Sequence, residues 1–283
     1  MTSKTEQIYF QMLDKEVVTL DDVERIARKV LHRRASRAYL GSEFLTRFRR
    51  EGKIRSIRRG LYHVVLPVSD TKAPDLFLVA SKVRPSSFLG FHTALEFYGS
   101  AHSLYYNESY VCGPEANRFR PFSLYGVRIR PVVVRENESG IAKHRHHKED
   151  IRVSSKERTV IDCVERPEYC GGWEEVLNSL MRLDGLRFRV IRQLLLEREN
   201  QFLLRQVGIV LEILREASPL IREAISNRQL LRLAEFVQGP ARYFFRNKAN
   251  TPYYRGRKSL IFSKRWRTYV PVWLTTILGG GLV

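Results

Sequence analysis

The sequence predicts an α+β protein in which an N-terminal winged helix-turn-helix precedes a larger, mixed α/β C-terminal domain. Three short helical patterns are followed by a basic hairpin pattern, "KIRSIRRGLYHVV" at residues 53–65. A stretch with two prolines, residues 66–74, is the candidate linker, and helical and strand patterns mix beyond it. At 283 residues the chain is long enough for two domains. We predict a winged helix-turn-helix domain over residues 1–68 and a second domain over 75–283.

The helices of the first domain carry recognisable start and stop signals. Thr19 precedes the second helical pattern, and Asp22 follows in the capping-box position. Ser36 is the expected N-cap of the third helix, and Gly52 is placed for the left-handed residue that ends it. Two short strands around a turn at Gly60 complete the predicted wing.

Positive charge is concentrated in this first domain. The chain carries a net charge of +19, which favours nucleic acid, an anionic membrane or an acidic protein as partner. Residues 25–63 contain thirteen lysines and arginines but only two glutamates, a net charge of +11. The acids are too few to neutralise the arginines as in an ordinary solvated helix. We therefore interpret the segment as a phosphate-binding footprint on double-stranded DNA.

The third helix is the one expected to enter the major groove. Burial of Phe44, Leu45 and Phe48 would turn its N-terminal residues toward base edges. The predicted groove residues are Ser36, Arg37, Tyr39, Leu40 and Glu43. The predicted phosphate contacts, beside the groove and on the wing, are Arg33, Arg34, Arg47, Arg50, Arg55, Arg58 and Arg59.

A second basic zone lies at the C-terminus. Residues 236–283 contain no aspartate or glutamate, and nine lysines and arginines are interleaved with aromatic residues. Aromatic residues among cations can stack bases or bind an acidic surface. The same alternation is typical of a sheet edge with aromatic residues inside and charges outside. Both interpretations of the basic, aromatic tail at 242–283 stay open, and the tail is a candidate part of the second domain's sheet.

No motif predicts catalysis. The sequence contains no phosphate-cradling glycine loop and no catalytic constellation, so we predict neither an enzyme nor a cofactor. "HRHHKED" at residues 144–150 is the only metal-like cluster. Neighbouring histidines without a second ligand group at a matching spacing are typical of a solvated patch, and no metal site is predicted there.

Cysteine usage and hydropathy predict a cytoplasmic protein. The three cysteines form no C-x-x-C pair and are odd in number, so we expect no disulfide framework. Cys163 lies among apolar residues and is predicted to be an inert core thiol. The sequence shows neither a secretory signal nor a bilayer span, and no membrane partner is expected.

Four stretches together resemble a known family. They are "IRSIRRGLYHVV", "FLGFHTALEFYG", "VSSKERTVIDCVERPEYCGGWEEVL" and "RQVGIVLEIL". The third is the most specific, with the arrangement E-R-T-x-x-D-x-x-x-R-P-E-x-x-G-G-x-E-E-V-L from Glu157 to Leu177. The chain resembles the AbiEi-type antitoxins, transcriptional regulators of bacterial and archaeal type IV toxin–antitoxin systems, over roughly residues 5 to 235.

The resemblance implies a particular function for each predicted domain. The N-terminal domain would bind DNA and repress its own operon at inverted repeats. The C-terminal, AbiEi-like antitoxin domain over 75–283 would counteract a nucleotidyltransferase-like toxin, in this family without a stable antitoxin–toxin complex. Within the family motif we expect Arg158 and Asp162 to pair on one helix face, Pro167 to end that helix, and Gly171 and Gly172 to allow a sharp turn.

Three alternatives to the antitoxin function remain. One is a stand-alone transcriptional regulator without a toxin. Another is a DNA-targeted nuclease, which needs clustered carboxylates with a lysine, and the second domain offers no persuasive set of these. The last is a general single-strand or RNA binder that works through the aromatic tail.

Overall fold

The computed structural model describes residues 3–66, 73–103, 107–135, 139–245 and 260–278. It confirms the α+β class. The chain divides into two compact units, each made of three stretches of sequence. Unit 1 comprises residues 1–89, 107–136 and 143–153, and unit 2 comprises residues 90–106, 137–142 and 154–283. The predicted boundary at 68–75 therefore falls inside unit 1, and most of the predicted linker, residues 67–72, lies outside the described residues.

Unit 1 begins with helices and a small antiparallel sheet. The elements are α1 (Lys4–Met12), β1 (Val17–Thr19), α2 (Leu20–Leu31), a continuous helical segment 37–50, β2 (Ile54–Arg58) and β3 (Leu61–Val64). The strand order is β1-β3-β2. The helical segment 37–50 consists of α3 (Arg37–Tyr39), a π-helical stretch Leu40–Leu45 and α4 (Thr46–Arg50).

The local signals in this region are confirmed. The Thr19 side chain accepts a hydrogen bond from the backbone N–H of Asp22, and the Asp22 carboxylate accepts from that of Thr19. Ser36 caps the helical segment by accepting from Tyr39 N–H. Gly52 and Gly60 have φ values of 71° and 81°, a left-handed conformation that suits glycine. Apolar side chains of α1, α2 and the helical segment form one buried core.

The rest of unit 1 is built on a six-stranded sheet. After α5 (Leu76–Lys82) come the strands β4 (Phe88–Leu89), β5 (Glu108–Gly113), β6 (Phe122–Leu124), β7 (Val127–Val133), β8 (Ile141–His146) and β9 (Glu149–Ser154). Their order is β6-β7-β5-β4-β9-β8. The pairs β5–β7 and β4–β9 are parallel, whereas β4–β5 and β6–β7 are antiparallel. The "HRHHKED" stretch, predicted as a solvated loop, contributes to β8 and β9.

A half-buried charge cluster joins distant parts of unit 1. Glu149 of β9 accepts hydrogen bonds from Lys15 at 2.7 Å and from Lys82 at 2.6 Å. Lys82 also donates to the Val17 carbonyl at 2.5 Å. Burial lowers the pKa of Lys82, and hydrogen bonding to Glu149 opposes that effect. Because burying an ammonium without a partner is costly, each of these groups depends on the others.

Unit 2 is mainly helical. Its helices are α6 (His92–Phe97), α7 (Lys156–Glu165), α8 (Trp173–Leu180), α9 (Phe188–Glu197), α10 (Gln201–Ala217), α11 (Pro219–Ala224), α12 (Asn227–Ala234) and α13 (Val272–Thr276). Along α10 nearly every side chain from Leu203 to Leu214 is buried, so this helix forms the centre of the unit. Within the described ranges, no helix has the length and apolar character needed to cross a bilayer.

The stretch from Glu157 to Leu177 specifies the architecture around α7. Arg158 Nε donates to Asp162 Oδ2 at 3.1 Å, which confirms the predicted pair. The helix ends at Glu165, ahead of Pro167, as predicted. Gly171 and Gly172 have φ values of 79° and 96°, and they make the sharp turn into α8.

The described part of the C-terminal tail forms its own sheet. Strands β10 (Arg242–Tyr243), β11 (Leu260–Ser263) and β12 (Thr268–Pro271) pair in the order β10-β12-β11, separate from the six-stranded sheet. Trp266 is fully buried and donates from Nε1 to Glu212 at 2.8 Å, whereas Phe262 remains 43% exposed. In the described tail, therefore, some aromatic residues are buried, as the sheet interpretation expects, and others are exposed. Tail residues 246–259 and 279–283 lie outside the described residues.

The three cysteines, Cys112, Cys163 and Cys170, are buried free thiols. Cys163 is fully buried, as predicted for a core thiol. Burial, together with the nearby Cys163 sulfur, raises the pKa of Cys170.

Candidate nucleic-acid interface

The exposed face at the start of the helical segment 37–50 is the centre of the candidate site. Four of the five predicted groove residues, Ser36, Arg37, Tyr39 and Glu43, are exposed there. Tyr39 is 40% exposed, and its ring meets the buried Phe44 ring edge-on at 5.5 Å between centroids. The aromatic contact holds Tyr39 at the surface while its outer edge stays accessible.

The prediction that Leu40 is a groove residue is wrong. This side chain is fully buried in the core of unit 1 and cannot reach a base edge. Leu40 precedes Phe44 by four positions and Phe48 by eight, which is the spacing of one apolar helix face. That spacing was visible in the sequence and could have excluded Leu40 from the groove set.

Arg37 is held by acidic residues of α2. Its guanidinium forms ion pairs with Asp21 and, at 3.5 Å, with Glu24. The Arg37 side chain nevertheless stays 63% exposed, so the pair with Asp21 is solvated and weak. This pair orients the guanidinium beside the start of the helical segment. An anion that binds arginine more strongly can replace the Asp21 carboxylate.

Several predicted phosphate contacts are available. The side chains of Arg33, Arg34, Arg50 and Arg59 are exposed, and among the described residues none of them has a hydrogen bond or ion pair. Arg55 is exposed on β2. Arg47 is exposed as well, but its Nε donates to Glu51 at 2.6 Å. The hydrogen bond and charge of Glu51 raise the pKa of Arg47.

Arg58 corrects the predicted wing set. Its guanidinium lies over the rings of Phe119 and Phe122, 5.4 and 5.1 Å from their centroids. Burial lowers its pKa, and the charge of Arg84 lowers it further. The pairing of β2 with β3 shifts register between Ser56 and Arg58. Arg58 is half-buried whereas Arg55 and Arg59 are exposed, so Arg58 is less accessible to a phosphate than predicted.

Sequence reasoning missed one exposed cation on the helical segment. Arg49 is exposed and donates from Nη2 to the Thr46 hydroxyl at 3.3 Å. Its position directly after the buried Phe48 was the available signal, because adjacent residues on a helix point in different directions. Arg49 extends the cationic surface formed by Arg47 and Arg50.

A π-helical turn shapes the middle of the segment. The Thr46 hydroxyl donates to the Gly41 carbonyl five residues earlier at 2.9 Å. The wider turn contains the groove residue Glu43 and separates Ser36, Arg37 and Tyr39 from the cationic C-terminal end. Turns of this kind are frequent at functional sites.

The fold has a counterpart among solved structures. The crystal structure of the RV2827C protein from Mycobacterium tuberculosis is similar, with a TM-score of 0.58 at 12% identity, over 97% of this chain and 94% of that chain. At this identity the similarity establishes a common fold only. No protein-family model matches the chain. No curated protein sequence matches it either.

Proposed function

We propose that the protein is a sequence-specific DNA-binding transcriptional autorepressor whose N-terminal part is a winged helix-turn-helix. In this proposal α2 and the helical segment 37–50 form the helix-turn-helix, and the β2–β3 hairpin is the wing. The element order α1-β1-α2-segment-β2-β3 and the strand order β1-β3-β2 support it. The segment would lie in the major groove with Ser36, Arg37, Tyr39 and Glu43 toward base edges.

The observation that carries this proposal is the surplus of exposed, unpaired cations around that helix. Arg33, Arg34 and Arg50 flank the groove residues, and Arg59 lies on the proposed wing. Acids pair with Arg25, Arg28, Arg37 and Arg47, but among the described residues the four arginines above have no such partner. In a DNA duplex, phosphates bind unpaired arginines, and base edges bind neutral hydrogen-bonding side chains. The surface offers both kinds of group side by side.

The antitoxin role completes the proposal. The protein would be the antitoxin of a type IV toxin–antitoxin pair and would act in the cytoplasm against a nucleotidyltransferase-like toxin. Its support is the resemblance carried by the motif from Glu157 to Leu177. The motif residues Arg158 and Asp162 pair in the interior, and Glu157 accepts from Arg187 at 2.7 Å, so these residues serve the fold. Toxin neutralisation would then depend on surface residues that this fold positions.

Binding to promoter DNA tests the regulatory part. Fluorescence anisotropy with the full chain compares DNA from upstream of its own gene with a scrambled duplex, across a series of salt concentrations. We expect preference for the upstream DNA and affinity that falls steeply with salt. Equal affinity for both duplexes, or Mg²⁺-dependent cleavage of the DNA, would overturn the proposal.

Growth rescue tests the antitoxin part. The gene is co-expressed with a nucleotidyltransferase-like gene found beside it, and growth is compared with that of cells expressing the toxin alone. Rescue by the full chain supports the antitoxin role. Toxicity unchanged by the full chain, with DNA binding intact, would leave a stand-alone regulator.

A further inference from the structure

We propose that Asp75, His146 and His147 form a binding site for a divalent transition metal of the zinc class. The site lies within unit 1, between the start of α5 and the turn that joins β8 to β9. His146 Nε2 lies 3.0 Å from Asp75 Oδ2, and His147 Nε2 lies 3.5 Å from the same oxygen. The three ligand atoms all lie within 4.8 Å of one another.

These separations fit a tetrahedral metal site. Zinc binds imidazole nitrogen and carboxylate oxygen at roughly 2.0–2.2 Å, so two ligand atoms on a tetrahedral ion are about 3.3–3.5 Å apart. The two measured nitrogen–oxygen separations lie close to that value. Small side-chain rotations would let all three atoms face one ion, and a fourth position would remain for water or another ligand.

Asp75 is already oriented for this role. It is the N-cap of α5, and its Oδ1 accepts from Leu78 N–H at 2.9 Å. Its own backbone N–H donates to Glu16 Oε1 at 2.7 Å. Because Oδ1 is engaged by the helix, Oδ2 is the oxygen directed to the histidines. Hydrogen bonds to a ligand from outside the metal site fix its orientation in the same way in established sites.

The two histidines are also constrained. The His146 ring meets Phe77 edge-on at 5.6 Å between centroids. His147 begins the two-residue turn between β8 and β9 and has a φ of 50°. Histidine is one of the non-glycine residues enriched in this left-handed conformation. In this turn the His147 ring meets the His146 ring, with 4.5 Å between their centroids.

The ligand set points to the class of metal. Two imidazoles and one carboxylate suit Zn²⁺, Co²⁺ or Ni²⁺, whereas Mg²⁺ and Ca²⁺ prefer oxygen ligands. The sequence pattern around residues 144–150 lacked a second ligand group, and the fold supplies it from Asp75, 71 positions before His146. The competing explanation is a simple carboxylate–imidazole hydrogen bond with no metal.

Calorimetric titration of Zn²⁺ into the full, untagged chain at pH 7.5 decides between them. We expect one equivalent of zinc to bind. Loss of a residue that only hydrogen-bonds to a metal ligand weakens metal binding by roughly 10–100-fold. His146→Gln and His147→Gly each remove a proposed ligand, so each should weaken zinc binding by at least that factor. His144→Gln, on the same strand but outside the cluster, is the matched control and should bind like the unmodified chain.

Two further readouts keep the test decisive if a variant is unstable. His147→Gly should fold well, because glycine suits the left-handed turn. Zinc should raise the melting temperature of the unmodified chain and of His144→Gln but not of His147→Gly. Co²⁺ should give a tetrahedral spectrum without thiolate charge transfer. Absence of zinc binding, unchanged binding in both His146→Gln and His147→Gly, or a cobalt–thiolate band would overturn the proposal.

Discussion

The guanidinium of Arg58 lies over the ring of Phe122, 5.1 Å from its centroid, while the neighbouring Arg59 is exposed. Two adjacent arginines at the end of one strand therefore have different environments. Arg58 is half-buried, and its Nη1 has no hydrogen-bond partner among the described residues. Arg59 remains available to a ligand in solution.

Exchange of each arginine for alanine should separate these two roles. Arg59→Ala should lower the slope of log affinity against log salt by about 1, because it removes one phosphate contact. Arg58→Ala should leave that slope unchanged and lower the free energy of unfolding by about 1 kcal/mol, through loss of its contacts with two aromatic rings. Anisotropy titrations and urea denaturation measure the two effects. A reduced salt slope in Arg58→Ala would show that Arg58 reaches the DNA.

Exchange of Arg37 should change sequence preference. Arg37→Ala removes a proposed groove contact and should reduce discrimination between upstream and scrambled DNA by about 1–3 kcal/mol. Arg50→Ala, a change of the same type at a proposed phosphate contact, should weaken binding to both duplexes equally. For each variant, anisotropy gives the ratio of its affinity for upstream DNA to its affinity for scrambled DNA, and this ratio separates the two effects. Identical ratios for the two variants would refute the groove assignment.

Glu175 should make the stability of the protein depend on pH in the acid range. This carboxylate accepts hydrogen bonds from the backbone of His102 at 3.1 Å, from the backbone of Ser103 at 2.9 Å and from the Ser179 hydroxyl at 3.0 Å. Burial opposes its ionisation, but hydrogen bonds from Ser103, Ser179 and His92 outweigh that effect and lower the pKa to about 2. A lowered pKa in the folded state stabilises it fully above the unfolded value near 4.5 and loses that contribution as the pH falls toward 2.

The variant Glu175→Gln tests this. It should lower the free energy of unfolding by about 1–3 kcal/mol at pH 7, because an amide lacks the negative charge that these donors stabilise and replaces one acceptor oxygen by an NH2 group. Urea denaturation at pH 7 and at pH 3 should show the difference between the variant and the unmodified chain shrinking in acid. Glu174→Gln, an exposed neighbour on α8, is the control and should have no effect at either pH. A difference that stays constant with pH would contradict the assignment.

Gly208 should not tolerate a side chain. A Cβ at this position on α10 would overlap the ring carbons of the buried Trp266. Gly208→Ala should therefore destabilise the protein by about 1–3 kcal/mol, as overpacking does in cores. Gly41→Ala is the matched control, because its Cβ would meet nothing within 4 Å, and it should be neutral or slightly stabilising. Equal stability of the two variants in thermal denaturation would refute the close packing.

Local signals in the sequence predicted local structure well. The caps at Thr19 and Ser36 and the turn glycine Gly60 depend on neighbouring residues, and each was confirmed. The candidate site was less predictable where distant residues intervene. Arg58 was grouped with Arg55 and Arg59 because all three lie in the same basic hairpin, and no local pattern could reveal aromatic partners more than 60 residues away.

The boundary between the two units could not be read from the sequence for a related reason. Prolines and small polar residues near position 70 look like a linker, yet Lys15 and Lys82 lie on opposite sides of it and both bind Glu149. Pairings of this kind connect residues far apart in the chain and leave no periodic signal. The location of Asp75 beside two histidines is another such pairing.

The three-stretch construction of unit 1 affects the order in which the protein can fold during synthesis. A ribosome releases the N-terminal residues first, and domains generally fold as units. Unit 1 cannot be complete until residues 143–153 have emerged, because Glu149 is needed to neutralise Lys15 and Lys82. The cationic segment, residues 25–63, is therefore synthesised long before unit 1 is complete. The proposed DNA-binding surface would belong to a complete unit only after more than half of the chain has been translated.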